Sequence, residues 1–365
     1  MIEILDPKTD SGRIEQLLAP GSGLRFIDGW DSARDELAAI DRYAGSATDW
    51  YDAATAARAS RYIVFPWRAT IVRLPDAHHF WRLRTARNRY LLDEDEQRAW
   101  SGALIGIAGL SVGSSVLSVC SLTGARRFRI ADPDVLGPTN LNRLVGSVCD
   151  LGVPKTTIAS RRVLESDPYT DLEVFESGYV DDTAGDFLGG AGVEPLAVLV
   201  EEMDDLAMKV AIRRRARAAG IPVVMATDNG DNVILDVERF DLKPDQPLFH
   251  GRAEAVEDCD VAELNLAVNR VRLASAIVGS DVTPSTRYSL TEVGVSLPSW
   301  PQLGTAATAA GAAAALAARL LVCGEELPSG RYRFDLDRVL LGERAVTAMK
   351  ANELDEATFI ARMTR

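Results

Sequence analysis

Asp132, Asp134, Asn140, Asn142, Arg143 and Lys155 crowd the most chemistry into the shortest length of this sequence, and Asp204 stands further along in EEMDDL. Two cations set among acids and amides suit a ligand with several negative charges. A dinucleotide has no need of such a pair, because a helix N-terminus already serves a pyrophosphate. A triphosphate that loses pyrophosphate does need it, because charge builds on the leaving oxygens.

The elements that must position these residues can be read directly. Ala103 to Ala108 is a short uncharged apolar run, as expected of a strand buried on both faces of a parallel sheet. Gly109 follows, then small and apolar residues from Ser111 to Thr123, long enough for a helix, with Gly124 placed to end it in a left-handed conformation. A strand turning through Gly109, Ser111 and Gly113 into a helix gathers unpaired backbone N–H groups and the positive end of the helix dipole, where phosphate binds. The glycine signature G-x-G-x-x-G is not intact, its three positions holding Gly109, Ser111 and Ser114. Arg127 to Ala131 reads as the second strand. Asp132 at its end is placed to accept hydrogen bonds from a ribose.

Strands and helices continue to alternate. Thr156 to Ser166 reads as a helix, DPYTDLEVFESGYV as a strand between turn signals, Leu196 to Val200 as a buried strand, Leu206 to Gly220 as an Arg-rich helix and Ile221 to Ala226 as another buried strand. The alternation specifies an α/β fold: a doubly wound, mainly parallel Rossmann-like sheet with helices on both faces. In such a sheet ligands collect at the C-terminal ends of strands, which is where EEMDDL falls. Beyond Asp228 the segments shorten: a strand in NVILDVERFD, a helix through Val261 to Ile277, a helix from 305 to 322 and a closing strand from Arg331 to Leu336. Residues 1 to 80 read as a small N-terminal α+β module with Tyr62 to Leu74 a strand or hairpin bent at Pro66. Its aromatics Trp50, Tyr51, Tyr62, Phe65 and Trp67, with Phe80 and Trp81 just beyond, read as core. Residues 81 to 340 form the main domain and 341 to 365 a helical tail. Phe80 to Trp100 reads as a charge-rich helical segment whose Arg82, Arg84, Arg87 and Arg89 face no acid before Asp93; they form a solvated face or reach a phosphate.

A formal net charge of −13 and a pI near 4.9 argue against a nucleic-acid surface, which needs a basic stripe. Cys120, Cys149, Cys259 and Cys323 form no C-x-x-C pair, so no zinc knuckle and no disulfide framework is expected. The N-terminus lacks a basic region followed by an apolar core, and the longest apolar run, Ala306 to Val322, is interrupted by Thr308, Gly311 and Arg319. A cytoplasmic location without membrane attachment is the expectation. His78 and His79 are neighbours on a helix and point in different directions, so a shared metal is not expected. His250 follows the last strand and reads equally as a structural residue or as an acid–base group near the ligand site.

Five motifs in order resemble the ThiF/MoeB family of ubiquitin-activating-like adenylyltransferases. They are RNRYLLDEDEQRAW before the first strand, GLSVGS, ADPDVLGPTNLNR, LGVPK and EEMDDLAMK. The resemblance implies an ATP-dependent nucleotidyltransferase that activates a carboxylate of a small acid, peptide or protein C-terminus as an acyl-adenylate, releasing pyrophosphate. It implies that Asp132 holds the ribose, that Asn140, Arg143 and Lys155 contact the phosphates, and that Asp204 binds magnesium. Gly109, Ser111, Gly113 and Asp134 complete the nucleotide site, and Arg89 reaches the triphosphate of a neighbouring subunit in a homodimer. Glu201 and Asp205 depart from the family's D-x-x-D-N. The zinc pairs and acceptor cysteine found in some members are missing here, although Cys259 is the best-placed thiol by order. The divergent members act on small carboxylates, peptides or modified tRNA, and the acidic charge makes tRNA the least favoured.

The same residues also admit a plainer reading in which Asp132 and Asp134 cap a turn, Arg143 pairs with one of them, and Lys155 is an exposed helix residue. Two other functions stay open at this point: an inactive scaffold that holds a peptide or partner, supported by the serines in the glycine turn, and a dinucleotide-binding oxidoreductase.

Overall fold

The computed structural model describes residues 2–44, 58–190, 192–345 and 352–363. Trp50 and Tyr51 lie outside them. The described chain groups into two compact units, Met1–Ser101 with 121–126 and 161–170, and Gly102–Cys120 with 127–160 and 171–365.

In the first unit the elements run β1 (Glu3–Leu5), α1 (Ser11–Leu18), β2 (Arg25–Asp28), α2 (Trp30–Ala44), β3 (Ser60–Phe65), β4 (Thr70–Pro75), α3 (Ala77–Thr85) and α4 (Glu94–Gly102). The strands form one sheet in the order β1-β3-β4-β2. Pro66 bends the chain between β3 and β4, which pair antiparallel from Ser60↔Pro75 to Phe65↔Thr70. Phe65 is buried, as is Trp30, which the aromatic pattern alone does not single out. The segment from Phe80 to Trp100 is not one helix: it breaks at the short 3-10 turn Ala86–Asn88, and Tyr90 takes a left-handed φ of 71°. Two of its four arginines find acids from elsewhere in the chain. Arg82 bonds to Asp41, and Arg84 pairs at 3.1 Å with the buried Asp167. His79 pairs with Asp76, the residue that caps its own helix.

The second unit is built on seven strands. Its elements are β5 (Leu104–Ala108), α5 (Gly113–Leu122), β6 (Arg127–Ala131), α6 (Lys155–Ser166), β7 (Asp171–Phe175), α7 (Ala184–Leu188), β8 (Val198–Glu201), α8 (Leu206–Ala219), β9 (Val223–Asn229), β10 (Asn232–Glu238), α9 (Glu254–Glu257), α10 (Val261–Leu264), α11 (Ala267–Val278), α12 (Pro284–Thr291), α13 (Gly304–Val322), β11 (Gly330–Phe334), α14 (Leu336–Leu341) and α15 (Glu356–Met363). The sheet order is β11-β10-β9-β8-β5-β6-β7. From β9 to β7 every pairing is parallel, and β10 and β11 add an antiparallel edge. The fold is therefore the doubly wound, mostly parallel α/β sheet flanked by helices. β5 and β8 are buried at every position, the signature of strands covered on both faces.

The order of the strands reverses at β5, with β6 and β7 laid down on one side and β8 and β9 on the other. The crevice outside the C-terminal ends of β5 and β8 is the switch point where such sheets take ligands. Gly109 makes it possible. Its φ is +91°, and a Cβ there would collide with the Glu202 carbonyl at the end of β8. Gly113 in turn allows α5 to pack onto β5, since a Cβ would lie 2.9 Å from Ile107 Cγ2.

α13 has the length and hydropathy of a membrane span, but half of that window is buried within the protein. Its alanines, Ala306, Ala310, Ala314 and Ala318 among them, are covered, and the helix packs on β8, β9 and β10. The single helix expected from Val261 to Ile277 is two helices. The Asn269 side chain bonds to the Glu263 carbonyl at 2.9 Å, occupying an acceptor that a continuous helix gives to the backbone four residues on.

Candidate active site

The site grows from Asp132 at the end of β6. Its Oδ2 accepts from the Leu110 N–H at 2.6 Å and its Oδ1 from the Asp134 N–H at 2.8 Å, so one buried carboxylate ties the glycine turn to the loop that follows. Burial pushes this carboxyl above the ordinary aspartate value, against the pull of Lys155 and the two backbone donors. Asp132 thus organises the turn with both of its oxygens.

Lys155 opens α6 and is almost fully buried. A positive charge at a helix N-terminus opposes the helix dipole, an arrangement that costs the fold and favours an anionic ligand. Its Nζ lies 2.7 Å from Asp134 Oδ2 and 3.6 Å from Asp132 Oδ1. In the plainer reading Arg143 pairs with an acid and the lysine is exposed; the structure reverses this. Arg143 Nε donates to Ser111 Oγ at 2.9 Å, and Nη1 reaches the Thr139 carbonyl at 3.2 Å and Asn142 Oδ1 at 3.0 Å. The serine that interrupts the glycine signature is therefore a positioning partner of the arginine. Asn140 Oδ1 caps the same loop by accepting from the Gly137 N–H at 2.8 Å.

These side chains share one cleft of about 520 Å³. Asp134, Asn140, Asn142, Arg143, Lys155 and Asp204 all line it, with Gly230, Trp300 and Gln302 on the facing wall. Asn142 Nδ2 bonds to the Gln302 carbonyl at 2.8 Å and joins the two walls. A smaller cavity of about 100 Å³ adjoins it, sharing Asp204, Trp300 and Gln302 and lined also by Ser111, Glu202 and Asp228. Gly109, Gly113 and Asp132 shape the turn rather than the cleft surface. Arg89 belongs to the first unit, where it is exposed and stacks over Tyr90 at 5.1 Å.

The two departures from the family pattern are explained locally. Glu201 is fully buried and bonds to Arg213, with Lys209 Nζ 3.1 Å from its Oε1; the two cations outweigh burial and hold its carboxyl below the ordinary value. Arg213 also reaches Glu238 at 2.7 Å. Asp205 accepts from the Met208 N–H at 3.0 Å and caps α8. Asp204 between them is exposed, with no ion-pair partner among the described residues.

Three residues of the site escape the motif reading. Glu202 is buried against the Ala226 N–H at 2.8 Å, and burial raises its carboxyl well above the usual range. Asp228, on β9, is 5% exposed, and burial lifts its carboxyl to about 6. Trp300 closes the cleft from a segment with no motif. TDNGD at a strand end was the only available signal for Asp228. His250 is not at this site. β10 runs antiparallel to β9 and carries the following chain away from the strand C-termini, leaving His250 Nε2 3.3 Å from Asp236. Cys259 is half-buried on the α9–α10 segment and lines neither cavity.

The switch-point crevice, lined by two cations and a strand-end carboxylate, belongs to a doubly wound α/β protein. A family model described as ThiF family matches residues 85–353, and the chain belongs to that family. An uncharacterized protein of Mycobacterium tuberculosis, MT1398, is 35% identical over 283 residues, which is 77% of this chain and 39% of that protein. A probable molybdopterin-synthase adenylyltransferase of Porphyra purpurea is 26% identical over 85 residues, 23% of this chain and 22% of that one. The chain thus spans about two fifths or less of these curated relatives. Among solved structures, Escherichia coli tRNA N6-threonylcarbamoyladenosine dehydratase, TcdA, aligns with a TM-score of 0.46 and 18% identity, covering 66% of this chain and 95% of that one. Escherichia coli MccB with ATP aligns at 0.45 and 16%, covering 66% and 62%.

Proposed function

We propose that the chain adenylates a carboxylate with ATP. The observation that carries this reading is the convergence of Asn140, Arg143, Lys155 and Asp204 on one cleft beside the Gly109 turn. In the reaction a substrate carboxylate oxygen bonds to the α-phosphorus, the α–β phosphoanhydride bond breaks, and pyrophosphate leaves with its electron pair. No proton has to move. The chain's contribution is alignment and neutralisation of the charge on the departing oxygens, supplied by Arg143 and Lys155. A dinucleotide oxidoreductase or an inactive scaffold has no use for two cations so placed.

Magnesium fits this donor set. Asp204 is a free, exposed carboxylate at the cleft, and magnesium is commonly held by one or two carboxylates plus substrate phosphates. When bound it supplies further neutralisation of the phosphates. No group of three or more metal-ligating side chains occurs among the described residues. The reading extends to a homodimer in which exposed Arg89 serves the neighbouring subunit's triphosphate, and sedimentation with wild type and Arg89→Ala tests it.

The central test is ATP–pyrophosphate exchange over a panel of carboxylic acids. Arg143→Ala and Asp204→Ala are expected to abolish exchange without loss of the folded signal. If wild type fails to bind ATP in calorimetry with magnesium present, the proposal is wrong.

A further inference from the structure

The smaller cavity holds an arrangement that adenylation alone does not explain. Asp228 is 5% exposed, lines the cavity, and neither of its carboxylate oxygens makes a well-formed hydrogen bond among the described residues. The Gln302 side chain and Arg143 face it and favour its ionised form without offsetting its burial, and Asp204 adds a second negative charge. Buried polar atoms are nearly always partnered, so an orphaned carboxylate facing a cavity marks a place for a ligand donor. Of the other carboxylates lining the cavity, Glu202 accepts from the Ala226 N–H and Asp204 is exposed where the cavity meets the cleft, while Lys209 is committed to Glu201. Asp228 is the buried carboxylate left over.

The walls restrict what that donor can be attached to. Val112, Leu206, Met225, Ile277 and Val278 present apolar surface around the acid. At about 100 Å³ the cavity far exceeds the roughly 10–15 Å³ that one water needs. It opens onto the nucleotide cleft through Asp204, Trp300 and Gln302, which line both. A short aliphatic group ending in an ammonium satisfies the acid, the walls and the volume together.

We infer that the carboxylate substrate carries an amino group, and that Asp228 binds its ammonium in the smaller cavity while the carboxylate faces the nucleotide. The inference rests on the adenylation reading for the second half of that statement only. The substrate class is an amino acid or a similarly short amine-bearing acid. Asp228 is then a specificity residue, distinct from the cations of the phosphate cleft.

Two measurements on the full chain test this separately from adenylation. In the first, n-propylammonium chloride at saturating concentration is added at pH 8, with n-propanol and sodium chloride as controls. The ammonium is expected to raise the unfolding temperature of wild type by about 2 °C or more, and to leave Asp228→Asn within a quarter of that shift. Equal shifts in both proteins, or none in wild type, overturn the inference. So does a response of Asp228 to magnesium alone. In the second, exchange is compared for alanine against propionate and valine against isovalerate. Wild type is expected to favour the amino member at least tenfold in kcat/KM, with the preference collapsing towards parity in Asp228→Asn. Exchange with no amine preference refutes the ammonium site and leaves adenylation standing; ammonium binding with no exchange for any acid refutes adenylation and leaves the ammonium site.

Discussion

Replacing Asp228 by asparagine is expected to stabilise the protein, and by an amount that depends on pH. Burial lifts the folded-state carboxyl to about 6 from the ordinary value of 3.8. A folded value above the unfolded one means that ionisation is resisted by the fold, so the penalty is absent at low pH and grows as pH rises from 3.8 through 6. At pH 8 it reaches about 3 kcal/mol, and at pH 5 about half of that. Asparagine removes the charge but still buries an amide, which returns about 1–2 kcal/mol. The expected net gain is on the order of 1–2 kcal/mol at pH 8, shrinking to near zero at pH 5. Thermal unfolding of both proteins at the two pH values measures it. A variant that is less stable than wild type at pH 8, or a gap that does not narrow on acidification, refutes the claim that Asp228 is an uncompensated buried charge. The same substitution is expected to weaken substrate use, which is the usual pattern for a residue kept for binding at the expense of stability.

Other consequences follow from neighbouring contacts. Gly109→Ala forces a Cβ into the Glu202 carbonyl at a left-handed φ, and is expected to cost more than about 2 kcal/mol and to abolish nucleotide binding; denaturant titration and calorimetry check both. Arg213→Met leaves the buried Glu238 without its ion-pair partner and Glu201 with Lys209 alone, and is expected to cost about 3–5 kcal/mol in the same titration. Because the folded Glu201 carboxyl sits below its ordinary value, its contribution is present above about pH 4.5 and is lost as pH falls through the folded value. Glu201→Gln should therefore flatten part of the acid limb of the stability curve. Ser111→Ala leaves Arg143 Nε without its partner and is expected to lower the exchange rate by about tenfold while ATP still binds.

Much of this molecule is legible from its residues because the relevant signals are local. β6 falls on Arg127–Ala131 as the sequence reading expects, Gly124 ends α5 with a φ of 103°, and Gly220 ends α8 in the left-handed region. The cleft residues Asn140, Arg143 and Lys155 come from one stretch, and Asp204 from the end of the strand beside it. What sequence pattern could not reach depends on long-range pairing. Asp228 and Trp300 enter the site only because β9 ends beside β8 and the chain returns before α13. His250 leaves it because β10 runs the other way. Glu201 reads only as a departure from the D-x-x-D-N pattern until Lys209 and Arg213 are seen around it, and the exposed alternative for Lys155 stays open until its two aspartates are found.

The pairing of Lys155 with Asp134 and Asp132 sets a threshold for what the cleft accepts. A ligand gains this lysine only by displacing a carboxylate already 2.7 Å from it. A single phosphate offers little over the aspartate it replaces, whereas a triphosphate spans both Lys155 and Arg143 at once. On the adenylation reading the resting ion pair is a charge filter: it favours entry of the intact nucleoside triphosphate and, once pyrophosphate has gone, lets the lysine return to its aspartates as the adenylate is released.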